Sequence, residues 1–264
     1  MRKIIFSRKG LDSSAGGAPS PIMPDGRIFS LPIPQKEKSP NRYKNLQFDE
    51  FNGTKLLKNF KSKIKPNDFC HYDPRLNQKI GIFGQANAAQ SELDNLEVQT
   101  GDLFLFFGWF RNVGKKGTDV HHLFGWLQID KIIKGEKDIK NYLKLKKLDH
   151  PHGFENVSRY KNNTLYLGAN ELTLNRRKTS KRGYGLFKKT HRDLTLTEEN
   201  KTRSNWQFPN EFKNSKNLFM NRLKWSDPKK VKLSYRGYGQ EFVLNVEANP
   251  KIASWACKLI HKHG

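Results

Sequence analysis

Residues 98–111 read VQTGDLFLFFGWFR, and residues 122–132 read HLFGWLQIDKI. A Gly101-Asp102 turn leads into an apolar run too continuous to leave one face wet. Leu103 to Arg111 therefore reads as a strand covered on both sides. His122 to Ile132 is its antiparallel partner across a polar loop. Each strand has an internal glycine beside a tryptophan (Gly108-Trp109 and Gly125-Trp126), a pattern that predicts a strongly bent pair. Working outward, Ile4-Ile5-Phe6 is a short buried strand, and Asp25-Gly26 is a tight turn. Phe51, Leu56, Leu57, Phe60 and Ile64 recur at helical spacing and predict a basic amphipathic helix over 49–63. Further helices are expected within 81–97, 136–149 and 251–261, with strands at 165–168 and 231–235. These elements define an α+β fold. It is a single domain over 1–264, with a central bent, mostly antiparallel (mixed) sheet or a small barrel flanked by helices.

Composition narrows the partners. Forty-nine Lys and Arg stand against 25 Asp and Glu, a net charge of +24. That excess repels itself in a compact state, so a polyanion, double-stranded DNA, is the expected partner. Eighteen Phe, eight Tyr and five Trp need a core, which argues against disorder. Two cysteines, Cys70 and Cys257, are too few for a disulfide framework. No apolar run approaches a membrane span and no signal segment precedes the first strand, so a cytoplasmic monomer is expected.

The candidate site residues cluster in a few motifs. After the first strand comes SRKGLDSSAGGAPSP, residues 7–21, where Arg8, Lys9, Asp12, Ser13 and Ser14 sit in a glycine-rich loop. Such a loop cradles an anion with its N–H groups, or is simply an Asx turn at Asp12. In FCHYDP, residues 69–74, His71 and Asp73 stand two apart before a proline. A base, a ligand pair and a hydrogen-bonded turn all fit them. With no CxxC motif in the chain, no metal and no cofactor are expected. Gln85 and Gln90 are amides suited to reading a base edge, and Gln240 and Glu241 stand at the mouth of a late strand. Residues 174–192 hold eight Lys or Arg and no acid. There Arg176, Arg177, Lys181, Arg182 and Tyr184 form a DNA-contacting segment, in which cations track phosphates and an aromatic ring stacks. Arg111, His122, His152 and the tryptophans Trp109 and Trp126 complete a candidate base or sugar pocket.

Two resemblances sharpen this reading. The Gly-Asp strand followed by a Gly-x-apolar strand resembles the barrels of the PUA-like superfamily, which implies binding of a modified or flipped base. More specifically, KIIFSRKGLDSSAGGAPSPI, CHYDP, GQANAAQSEL with GDLFLFFGWFR, HHLFGWLQI, HPH and GQEFVL resemble the bacterial and phage "nucleotide modification associated domain 3" family. That resemblance spans nearly the whole chain and implies work on modified bases. The chain also resembles DNA glycosylases that inhibit phage replication by excising glucosylated hydroxymethylcytosine. The implied activity is hydrolysis of an N-glycosyl bond in phage DNA, leaving an abasic site. A carboxylate would stabilise the charge developing on the deoxyribose: Asp12 first, then Glu241 or Asp73, with His71, His122 or His152 moving a proton. The alternatives are a reader that holds a modified base without cutting, and an enzyme acting on free nucleotides.

Overall fold

The computed structural model describes residues 1–114, 119–155, 157–175, 177–213, 220, 225–227, 229–235 and 239–264. Among these, eight strands form the central sheet: β1 (Lys3–Arg8), β2 (Ser20–Ile22), β3 (Ile82–Gln85), β4 (Leu103–Asn112), β5 (Val120–Lys134), β6 (Thr164–Gly168), β7 (Tyr184–Leu186) and β8 (Glu241–Asn245). The main path runs β8-β1-β4-β5-β6-β3, with β7 paired to β5 and β2 to β4. β1 and β2 run parallel to β4, and the other pairs are antiparallel. The sheet is therefore mixed. It is also open, and the barrel alternative is corrected: its outer strands β8 and β3 do not pair with each other.

The predicted apolar pair sits at the centre. Leu103 to Phe110 is buried at every position, because β1 and β5 flank β4 and side chains fill both faces. The register between β4 and β5 slips at a bulge between Leu123 and Gly125, beside one of the two predicted glycines. Gly108 has a different purpose: a Cβ there would lie 2.7 Å from the Lys9 carbonyl. Only glycine lets the exit of β1 come this close to β4, where the Lys9 N–H donates to the Phe107 carbonyl.

Four helices flank the sheet among the described residues: α1 (Gly53–Leu57), α2 (Asn87–Asn95), α3 (Glu136–Lys146) and α4 (Pro250–His263). None is long and apolar enough to cross a membrane. The amphipathic helix expected over 49–63 shrinks to α1, five residues capped by the Asn52 side chain. Its apolar residues still go inward, joining Leu11, Leu31, Tyr43 and Cys70 in a second cluster beside the main core. Beside it is a small sheet of Ile33–Gln35, Asn41–Arg42 and Phe69–His71, whose Ile33, Gln35 and His71 line one cavity with Arg8 and Lys9 at the exit of β1.

Candidate functional site

The opening loop folds around its own aspartate. Asp12 Oδ1 accepts hydrogen bonds from the Ser14 and Ala15 backbone N–H groups at 2.8 and 2.6 Å, and from the Ser14 hydroxyl at 2.7 Å. Gly16 and Gly17, with φ of 95° and 65°, close the turn. The N–H groups available to cradle an anion thus already hold a carboxylate, and Arg8 Nη2 stands 3.7 Å from Asp12 Oδ2.

Beneath the loop lies Glu241, fully buried at the start of β8 and opposite Ser7 in register. Its Oε1 accepts from Lys9 Nζ at 2.8 Å, from the Ser7 hydroxyl at 3.0 Å and from the Gln85 amide. The Lys9 ammonium also sits 4.7 Å over the Phe83 ring. A charge this buried needs such a partner, and β1, β3 and β8 each supply part of the cluster.

The third component surrounds Asp73, whose side chain is 2% exposed. Gly84 N–H donates to both carboxylate oxygens at 3.1 Å, and His150 Nε2 lies 3.1 Å from Oδ1. His71 Nε2 and His152 Nε2 face Oδ2 from 3.8 and 4.0 Å. Pro151–Gly153 forms a 3₁₀ turn that aims the two histidines of HPH at one carboxylate. Burial pushes Asp73 above its ordinary range against the pull of the His152 and His71 rings. Burial also lowers His71 to about 3, His152 to about 4 and His150 well below the usual imidazole range. All three rings are neutral at pH 7.

These components meet at a cavity of about 480 Å³. Arg8, Lys9, Asp12 and Ser14 line one side, His71, Asp73, Gln85 and His152 the floor, and Gln240 the edge beside Glu241. The sequence motifs brought together here are the opening loop, CHYDP, GQAN, HPH and GQE. Three of the four cations in the wall are paired, Arg8 with Asp12, Lys9 with Glu241, and Arg159 with Glu37, and Lys36 is the fourth. Amides, imidazoles and the Tyr160 ring make up much of the remaining surface. Such a lining suits a polar, largely uncharged ligand better than a phosphate chain.

Other predicted residues fall elsewhere. Trp126, Lys181, Arg182 and Tyr184 line a second cavity of about 600 Å³, which shares Gly10 and Asp73 with the first. Trp109 and Ser13 border a smaller pocket behind the loop, where Arg203 lies 4.2 Å over the Trp109 ring and bonds the Ser13 hydroxyl. Arg111 pairs with Asp119. Gln90 is buried against the Tyr166 hydroxyl, and His122 is buried between the Leu123 carbonyl and Thr190. Arg177 is exposed in the short ribbon of Thr173–Leu174 with Arg177–Lys178, and Arg176 lies outside the described residues. Sequence reasoning passed over Gln35, Tyr160 and Asn163, which hold the histidines in place, while the HPH motif had already marked His150 beside His152.

Fold and site together define an α+β protein with a polar, ion-paired cavity where the first strand leaves the sheet. A family model described as nucleotide modification associated domain 3 matches residues 3–245, and the chain belongs to that family. Its role is thus related to nucleotide modification, and nucleic acid is the associated partner. No curated protein and no solved structure matches the chain.

Proposed function

We propose that the protein is a monofunctional DNA glycosylase that excises glucosylated hydroxymethylcytosine from phage DNA in anti-phage defence. The observation that carries this reading is the cavity itself. Five sequence-distant motifs of the family's chain converge on a polar pocket whose volume lies within the range of about 300–1,000 Å³ usual for small ligands. A nucleotide extruded from double-stranded DNA would enter there, with its base against the Tyr160 and His152 rings, which stack 4.8 Å apart. Hydrolysis adds water oxygen to the sugar C1′, while the base leaves with the bonding electrons and takes up a proton. Asp12 stabilises the positive charge developing on the sugar, its Oδ1 held rigid by three donors and its Oδ2 beside Arg8. The basic residues Lys181 and Arg182, on the neighbouring cavity, would track the DNA backbone leading to the site.

Asp12→Asn isolates the charge, since the amide oxygen can still accept the loop's three hydrogen bonds. Glucosylated phage DNA incubated with the variant and heated in alkali should stay intact, with affinity within about threefold of wild type because only one charge changes. Wild-type cleavage by the variant would remove Asp12 from this role. A second reading is a reader that holds the base without cutting, and Asp12's commitment to its own turn favours it. Intact strands with wild-type protein, alongside selective binding, would establish that reading instead.

A further inference from the structure

Two of the three rings around Asp73 turn the same ring nitrogen, Nε2, toward one carboxylate oxygen. His152 Nδ1 lies 2.6 Å from Asn163 Oδ1, and the Asn163 amide nitrogen donates to the His152 carbonyl at 2.8 Å. The amide orientation is thereby fixed, so Nδ1 carries the proton and Nε2 presents a bare lone pair. His71 is set the same way. The Gln35 amide nitrogen donates to the Glu37 and Lys38 carbonyls, leaving Gln35 Oε1 to accept from His71 Nδ1 at 3.2 Å. The Tyr160 hydroxyl, at 3.5 Å, shares that proton. Two imidazole lone pairs therefore face Asp73 Oδ2 from 3.8 and 4.0 Å, with no donor of their own to offer it. His150 does not relieve this: its Nδ1 accepts from the His152 N–H, and its Nε2–H goes to the other oxygen, Oδ1.

We propose that His71 Nε2, His152 Nε2 and Asp73 Oδ2 ligate a divalent first-row transition cation at the floor of the cavity. One ligand atom from each residue lies within 4.8 Å of the other two. Metal bonds of about 2.0–2.2 Å place neighbouring ligand atoms about 3.0–3.6 Å apart, a contraction of a few tenths of an ångström at the two histidine–aspartate edges. Two imidazoles and one carboxylate suit Zn²⁺ or its neighbours, whereas Ca²⁺ and Mg²⁺ prefer all-oxygen sites. Asn163, Gln35, His150 and Gly84 are the outer partners that aim the ligands, as buried metal sites require. All three ligands line the cavity, so the remaining coordination positions open to water or to a ligand oxygen. The site does not depend on the base-excision reading. A second cluster, His191, Asp193 and His263, is a poorer candidate because the Lys262 ammonium already sits 2.8 Å from Asp193 Oδ2.

The test uses untagged full-length protein, dialysed against a chelator and titrated with Zn²⁺ by calorimetry and with Co²⁺ by absorption. One equivalent should bind, with a Co²⁺ visible spectrum lacking the thiolate charge-transfer band that Cys70 or Cys257 would give. His71→Gln and His152→Gln should each abolish binding. Gln35→Ala, which touches no metal, should weaken it about 10–100-fold while the far-ultraviolet spectrum stays unchanged. His263→Gln should bind as wild type does. A wild-type protein that takes up no metal, a thiolate band, or loss of binding in His263→Gln alone would each overturn the assignment.

Discussion

At the scale of single residues, burial decides which side chains carry charge. His121 and His122 sit side by side in β5, and burial holds them at about 3 and about 4. His121 accepts from the Trp206 indole at 2.9 Å and faces Arg203 and Arg8; His122 faces Thr190, His191 and His263. Both rings stay neutral in the fold, while in the unfolded chain each titrates near 6.5. Above that pH neither state takes up a proton, and stability is flat. Below it the unfolded chain binds protons that the fold refuses, so stability falls as pH drops toward 4. Each such histidine contributes about 1.4 kcal/mol per pH unit. Replacing His122 by Gln should therefore shrink the loss between pH 6.5 and 5 by about 2 kcal/mol, read from denaturant melts at the two pH values. An unchanged pH slope would mean that His122 is protonated in the fold.

At the scale of elements, β3 positions the site as much as β1 does. Gly84 presents its N–H to Asp73, and a Cβ there would lie 2.3 Å from the His152 ring. Asn163 pins that ring from the other side, so it has little room to retreat. Gly84→Ala should cost about 1–3 kcal/mol in urea denaturation, the usual penalty of overpacking. Wild-type stability in that variant would show that the ring can swing away. The apolar strands were legible in sequence because an unbroken run such as Leu103 to Phe107 has few other places to go. The helix over 49–63 was not, because its apolar residues join the second cluster from turns as readily as from a helix. Periodicity reports which residues go inward, and the backbone that carries them there depends on neighbours distant in sequence.

At the scale of the whole molecule, a net charge of +24 surrounds a cavity in which three of the four lining cations are ion-paired. On the proposed reading, surface lysines and arginines would supply affinity for a polyanion and the cavity would supply selectivity. Replacing Arg177, Lys181 and Arg182 by Ala should weaken binding to all DNA alike and lower the slope of log K against log salt by about 3. Lost preference for the modified base at constant slope would instead make that segment the base reader. The sequence by itself determined the mixed α+β class, the central apolar strands, the charge and the family, because each is a property of local composition and pattern. It also marked Arg8, Lys9, Asp12, His71, Asp73, Gln85, His152 and Gln240, which meet in one cavity. Only the tertiary structure decided that Gln90 and His122 are interior side chains and that Lys9 belongs to Glu241. It alone brought His71, Asp73 and His152 together. Those contacts join residues up to 232 positions apart, as Lys9 and Glu241 are, and no local pattern encodes a distance that arises only when β8 closes against β1.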